Sequence, residues 1–540
     1  MLQTLYLYLQ TLWYLRPIQI YYRLFYWIRA KFRKLFGLKY PLKIPHTSKP
    51  LSLKEGIANP TSFLGNNTFE FLNLSHQFEH KINWNYWGNG KLWGYNLNYF
   101  DYLNQDNISV NQGIVLINTF IDDLPTNTLG LEPYPVSLRG MNWIKFLAKH
   151  QIKNAEIDAS LYAQYQILYQ HQEYHLLANH LLENGFALLW AAYYFEDERF
   201  YKSAKDILTA QLKEQILADG AHYELSPMYQ QTLLFRLLDC INLIKNNPEK
   251  FEVNFGGFLE IKAKMMLEWL GYPTFKDGKT ANFNDVALGI APSTLQLQEY
   301  ATRLGILITN QNRKGLILSN ESGFAKANFA NYEMVIDAGN LGPDYFLAHA
   351  HADNLCFELN INNCPVLVNT GTSTYEANAR RQTERSTAAH NTVTVEEQNS
   401  SRVWGGFRVG KRAKVFDVIC NDNTIEASHD GYKNLGVIHT RKFEFQDQQI
   451  IIQDTVKGKS LEAKAYLHFA SGINIKQNED GSLETDVCKI RFVNAKHIYL
   501  SEYQQAVGFN KYQTATQLTI TFCHSLTTHL VINTPTVPLV

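Results

Sequence analysis

Coordinating side chains occupy alternate positions in His349-Ala350-His351-Ala352-Asp353, and a further histidine, His390, follows 39 residues after His351. The pentapeptide opens a strand-like run, Asn354 to Leu359. Residues two apart on a strand share a face, so His349, His351 and Asp353 would converge on one patch of sheet. His390 begins a second such run, His390-Asn391-Thr392-Val393-Thr394-Val395. Imidazoles on neighbouring strands suit zinc ligation or proton transfer. The same pattern also fits a polar sheet edge with solvated histidines.

Two polar clusters interrupt apolar, helix-like text earlier in the chain. Asn179-His180 lies in Leu176 to Gly185, where a buried amide and imidazole must find hydrogen-bond partners or destabilise the helix. A satisfied core pair is the plain reading. The second cluster runs from Asp219 through His222, Glu224 and Ser226-Pro227 to Tyr229. Pro is tolerated in a first turn, so Ser226-Pro227 marks a helix start. Tyr229 then sits where the positive end of the helix dipole favours a phenolate, although a lone Tyr is usually core.

The elements that must position these residues change character midway. Thr68 to Ile308 reads as helical, with helices over Leu176 to Phe195, Tyr201 to Leu217, Tyr229 to Leu243 and Phe258 to Leu270. No fixed repeat period is present, so antiparallel helix pairs closing into a ring fit better than a solenoid. After Asn310, short Val/Ile/Thr-rich runs predict strands: Leu316 to Leu318, Tyr332 to Ile336, Leu355 to Ile361, Val366 to Val368 and Thr392 to Val395. Phe443 to Asp454, Ala463 to Phe469, Lys489 to Val493 and Leu518 to Phe522 continue them as an antiparallel sandwich. The expected division is a helical arm over 1–45, a helical domain over 46–312 and a β-sandwich over 313–540. Motifs in both halves place a site at their interface.

Bulk properties narrow the classes. At 540 residues the chain exceeds one ordinary core, and 50 basic against 50 acidic residues gives no excess for nucleic acid. The 31 Tyr, 31 Phe and 9 Trp fill cores first and suit sugar-stacking grooves second. Six scattered cysteines form no disulfide framework. Residues 1–36 place aromatics ahead of Arg16, Arg23, Arg29, Lys31, Arg33 and Lys34, the reverse of a secretory signal, and no run is long enough to span a bilayer. That segment fits either an arm packed on its own domain or a peripheral membrane contact. A cytoplasmic or membrane-peripheral location is therefore expected ahead of a periplasmic one.

Several motifs, in order, resemble the heparinase II/III-like polysaccharide lyases. They are Lys91-Leu92-Trp93-Gly94-Tyr95-Asn96-Leu97-Asn98-Tyr99-Phe100, Tyr134-Pro135-Val136-Ser137-Leu138-Arg139, Asn179-His180 and Ser226-Pro227-Met228-Tyr229. In the second half they are His349 to Leu355, Val368-Asn369-Thr370-Gly371-Thr372 and Arg385-Ser386-Thr387-Ala388-Ala389-His390-Asn391-Thr392. The resemblance implies an N-terminal (α/α) toroid followed by a C-terminal antiparallel β-sandwich, with an acidic polysaccharide bound between them. It further implies β-elimination at a uronic acid, a reaction that needs a carboxylate-neutralising group, a base and an acid.

Carried over motif by motif, Asn179 would hold the substrate carboxylate with help from His180. Tyr229 would serve as base, acid or both, with His349 as its partner. Zinc, in a structural role, would be held by His351, Asn369 and His390. Position 369 carries Asn where the family usually has Asp, which weakens that site; Asp353 could support an imidazole from behind. Arg139, Arg380, Arg381 and Arg385 would meet an anionic chain, with His222 and Glu224 beside it. Net neutrality fits a sparsely charged glycan better than a densely sulfated one. Two other readings remain open. One is a non-catalytic glycan-binding or assembly protein on the same fold; the other is a hydrolase using Glu183 with Glu224 as paired carboxylates.

Overall fold

Short polar residues set the helix starts. Ser109, Asn154, Asp197, Ser226 and Ser293 each accept a hydrogen bond from a first-turn backbone N–H, opening Val110–Asp123, Ala155–Gln170, Glu198–Gln215, Pro227–Asn246 and Thr294–Arg303. The computed structural model describes residues 2–248, 253–308 and 314–533. The division expected between 312 and 313 lies outside them. Every residue of Ala178–Phe195 except His180 is buried. A helix that is apolar all round must lie inside a ring of others. It packs against Pro133–Lys149, Glu198–Gln215 and Pro227–Asn246, the toroid-like arrangement of paired helices.

One part of this half departs from the helical expectation. Phe63–Gly65, Thr68–Phe71 and Leu74–Gln77 form a three-stranded antiparallel sheet. Asn66-Asn67 and Leu72-Asn73 take positive φ at the two hairpin turns, the conformation that two-residue turns require.

In the second half, all strand pairs among the described residues are antiparallel. An eight-stranded sheet is ordered Val415–Cys420, Thr424–His429, Val437–Gln446, Gln449–Gly458, Ser525–Ile532, Cys488–Val493, Leu483–Glu484, Lys476–Gln477. A five-stranded sheet, Gly315–Leu318 through Cys364–Leu367, meets a four-stranded one at the Leu367–Phe469 bridge. Met334, Leu359, Phe443, Ile450 and Leu518 bring all three sheets into one core. The run expected as one strand over Phe443 to Asp454 is two strands, because the polar Asp447-Gln448 pair turns the chain between them.

The halves are packed together. Trp269 and Phe283 from the helical side meet Phe324 of the sandwich with ring centroids 5.1 and 5.4 Å apart. Residues 2–35 form two helices, Leu2–Leu12 and Pro17–Leu35. Among the described residues no helix is long and apolar enough to cross a membrane.

Candidate active site

The loop that carries the histidines is irregular rather than a strand, which corrects the alternating-strand expectation; regular pairing starts only at Phe357. Its backbone groups are satisfied sideways instead. Asp285 N–H donates to the His349 carbonyl (3.1 Å), His351 N–H to Asn284 Oδ1 (3.0 Å) and Ala352 N–H to the Arg385 carbonyl (3.0 Å). The helix carrying Tyr229 is tied to the Asn284-Asp285 segment that supports this loop, because Ser226 Oγ donates to the Asp285 carbonyl at 2.6 Å. Leu177, Ala178 and Leu225, next to the motif residues of the toroid, hold positive φ. Such strain, on the order of 1–3 kcal/mol each, persists only where surrounding contacts impose it.

Asp285 is the hub. Its fully buried carboxylate meets His349 Nδ1 at 2.8 Å, His351 Nε2 at 2.9 Å and Arg381 through both terminal nitrogens, one at 2.7 Å. Burial would raise this carboxyl, but Arg381 and the two imidazoles outweigh it and hold it well below the usual carboxylate range. Sequence reasoning missed Asp285. It lies in a loop 64 residues before His349, and no spacing rule links the two. With Nδ1 fixed, His349 turns Nε2 toward Glu224 Oε2 at 3.6 Å. The Tyr229 ring stacks on the imidazole at 3.9 Å between centroids. A phenol from the toroid and an imidazole from the sandwich therefore meet where the two halves pack together. Tyr229 Oη also lies 3.4 Å from Tyr375 Oη. Burial, then Tyr375, pushes the Tyr229 hydroxyl well above the usual phenol range, overriding the expected dipole effect.

On the toroid wall, Asn179 Nδ2 donates to both oxygens of Glu224, at 3.0 and 3.2 Å. His180 Nδ1 pairs with Glu173 at 3.1 Å, and its ring packs 4.8 Å from that of Tyr134. Burial alone would lower the His180 pKa, yet Glu173 raises it overall. His180 thus favours the charged form more than an ordinary histidine.

Behind His349, His351 Nδ1 and His390 Nε2 stand 3.3 Å apart, and a ligand atom of Asp353 completes a group within 4.8 Å. Two nitrogens on a tetrahedral zinc with bonds of about 2.05 Å would be separated by about 3.3 Å, so the residues fit a metal. The His351–Asp285 bond matches the carboxylate support that ligating imidazoles receive. Asn369, expected in the third place, has both ends of its amide hydrogen-bonded within the fold. Its Nδ2 donates to the Asn282 carbonyl (3.2 Å) and its Oδ1 accepts from Asn391 N–H (3.3 Å), while Asp353 supplies the nearby carboxylate.

The expected sugar contacts need the most correction. Arg139 is wholly buried in the toroid, bonded to Gln164 and the Asn98 carbonyl and lying over Phe120. Arg385 is equally buried and spends its guanidinium on the Ala350, Gly405, Gly406 and Arg408 carbonyls, bracing the histidine loop from beneath. Arg381 is the ion-pair partner of Asp285. Arg380 donates to Glu384 (2.6 Å) and to the Gln504 carbonyl (2.7 Å). His222 is sealed against Gln215, and burial, then His349, pushes it down to about 3. Glu183 does not pair across a bond with Glu224. It sits fully buried 3.8 Å from Arg236, and burial pushes it up to about 7.

Comparisons with known proteins agree with this fold. Residues 137–296 match the heparinase II/III N-terminus and residues 312–531 the heparinase II/III-like C-terminal region. A heparin-sulfate lyase of Bacteroides stercoris is 24% identical over 329 residues, 55% of this chain and 46% of that protein, so the chain spans about half the length of this curated relative. A crystal structure of heparinase III superposes with a TM-score of 0.67 at 16% identity, covering 84% of this chain and 80% of the other. A mutant heparan sulfate lyase from Pedobacter heparinus gives 0.57 at 18%, covering 86% and 81%. These likenesses show the same fold, a helical toroid followed by an antiparallel sandwich. With both halves of its domain pair matched in order, the chain belongs to the heparinase II/III-like family.

Proposed function

We propose that this protein is a polysaccharide lyase that cleaves a uronate-containing glycan by β-elimination. The observation that carries the reading is the Tyr229–His349 stack across the interface of the two domains. The reaction takes the proton beside the sugar carboxylate and expels the glycosidic oxygen from the neighbouring carbon, leaving a carbon–carbon double bond. His349 suits the base, since Asp285 on Nδ1 fixes the ring and supports the imidazolium that forms. Tyr229, whose raised pKa keeps it a phenol, donates its proton to the departing oxygen. His180, biased toward its cation, neutralises the sugar carboxylate, which acidifies the adjacent proton, while Asn179, its amide committed to both Glu224 oxygens, fixes the wall beside it.

Zinc held by His351, Asp353 and His390 would supply fixed positive charge that stiffens the segment carrying His349. The committed arginines bear on the substrate class. Arg139, Arg380, Arg381 and Arg385 are occupied by protein carboxylates and carbonyls, which favours a sparsely charged uronate polymer over a densely sulfated one. A non-catalytic role would leave the aligned imidazole and phenol without a purpose. Incubation with defined acidic polysaccharides tests the reading. Lysis leaves an unsaturated uronate that absorbs at short ultraviolet wavelengths, whereas cleavage without that chromophore would mean hydrolysis and end the proposal.

A further inference from the structure

The helix Pro17–Leu35 is docked the wrong way round for a soluble protein. Its polar side faces the body: Gln19 Nε2 donates to the Leu176 carbonyl (3.1 Å), Arg23 Nε to His175 (3.3 Å), Tyr26 Oη to Gln172 (2.5 Å) and Arg29 to Gln170 (2.7 Å). The opposite stripe, spaced three and four apart, is turned outward. Leu24 is 58% exposed, Ile28 58%, Phe32 53% and Leu35 80%, with Trp27 beside them at 61%. A helix that packs on its domain normally buries that stripe. Leu2–Leu12 repeats the pattern. Thr11 and Tyr8 contact Trp404, while Leu5 (55%), Leu9 (58%) and Leu12 (53%) face out, followed by Trp13 at 86%. An exposed apolar stripe of this extent marks an interaction surface.

Charge identifies the partner. Residues 1–54 contain ten Lys or Arg and no Asp or Glu, so in a chain with 50 of each the remainder is acidic overall. Lys31, Lys34 and Lys39 are exposed beside the stripe. A cavity of about 530 Å3 under the end of the first helix is lined by Trp13, Tyr14, Lys411, Arg412, Lys414 and Lys433, with Asp344 the one acidic residue in its lining. Tryptophan and tyrosine favour the headgroup level of a bilayer, and flanking cations favour anionic lipid. We propose that residues 2–36 are a membrane-surface anchor, lying in the plane of an anionic bilayer with the Leu24–Ile28–Phe32–Leu35 stripe sunk into its interface. The inference is independent of the lyase reading, since none of these residues touches Tyr229 or His349.

Flotation of the full chain with vesicles of phosphatidylcholine containing about one-third phosphatidylglycerol tests it, with pure phosphatidylcholine as the control. The protein should float with the anionic vesicles, at least tenfold more than with neutral ones, and high salt should release it. Leu24→Glu/Ile28→Glu and Lys31→Glu/Lys34→Glu should each cut flotation about tenfold while leaving the melting temperature unchanged, because these side chains face solvent. Equal flotation on both vesicle types, or none, would overturn the proposal. So would a lipid-free dimer in light scattering that the Leu24→Glu/Ile28→Glu variant dissolves, which would assign the stripe to a second copy of the chain.

Discussion

The protein builds a buried Asp–His–Arg cluster twice, and only one copy lies where the two halves meet. In the sandwich core, Asp454 accepts from His439 Nε2 (2.8 Å) and from Arg441 Nε (2.7 Å), just as Asp285 joins His349, His351 and Arg381. Both carboxyls are held below the usual range against the opposing effect of burial, in each case by the arginine first. The difference lies in the other end of each imidazole. His439 Nδ1 is closed off by His429 Nε2 at 3.0 Å, and Arg441 spends its remaining donor on the Leu355 and Asn391 carbonyls. His349 instead keeps its far nitrogen beside Glu224 and under the Tyr229 ring. An Asp–His–Arg cluster is therefore not by itself a catalytic signature. What sets His349 apart is a far nitrogen that, among the described residues, no second protein hydrogen bond closes off, its nearest carboxylate standing 3.6 Å away.

Variants can break this comparison. The largest effects fall on the open end: Tyr229→Phe and His349→Ala should each lower kcat about a thousandfold, with unchanged circular dichroism, when unsaturated product is followed by absorbance. Near-wild-type turnover in either would remove that residue from the reaction. Asp285→Asn and Asp454→Asn should both destabilise by about 3–5 kcal/mol, because each leaves a buried arginine without its counter-charge. Only Asp285→Asn should also depress kcat of the folded protein, by about a hundredfold, through loss of His349 orientation. Equal kcat losses in the two would mean that the clusters do not differ as described.

Metal content offers a further separation. Elemental analysis should find about one zinc per chain, lost in His390→Ala with a fall in melting temperature, whereas His439→Ala should retain it. A wild-type stoichiometry near zero would refute the site. Acid stability gives a smaller effect. The folded Asp454 carboxyl titrates at about 2, and an unfolded one near 4. Between those values the unfolded chain binds more protons, so stability falls as pH drops from about 4 to 2, by about 2 kcal/mol, and the Asp454→Asn variant should lose this part of the dependence. The smallest effect belongs to Arg380→Ala, whose KM should stay within about twofold, since its guanidinium is already taken up by Glu384 and Gln504.

Much of this protein is legible in its sequence. The change from helical periodicity to short β-branched runs located both halves, because burial of one face imposes its period on the sequence. Asn179 stands out as a polar group inside an apolar run and His349, His351 and His390 by their place in strand-like runs, whereas Tyr229 gains its role only from the family resemblance. Partners were the part that sequence could not supply. Asp285 has no periodic relation to His349, Asp353 stands beside the two imidazoles, and Arg139 and Arg385 are internal braces. Whether a guanidinium meets ligand or its own backbone depends on which surfaces the fold brings within about 3 Å, and that distance is set by packing across loops far apart in the chain.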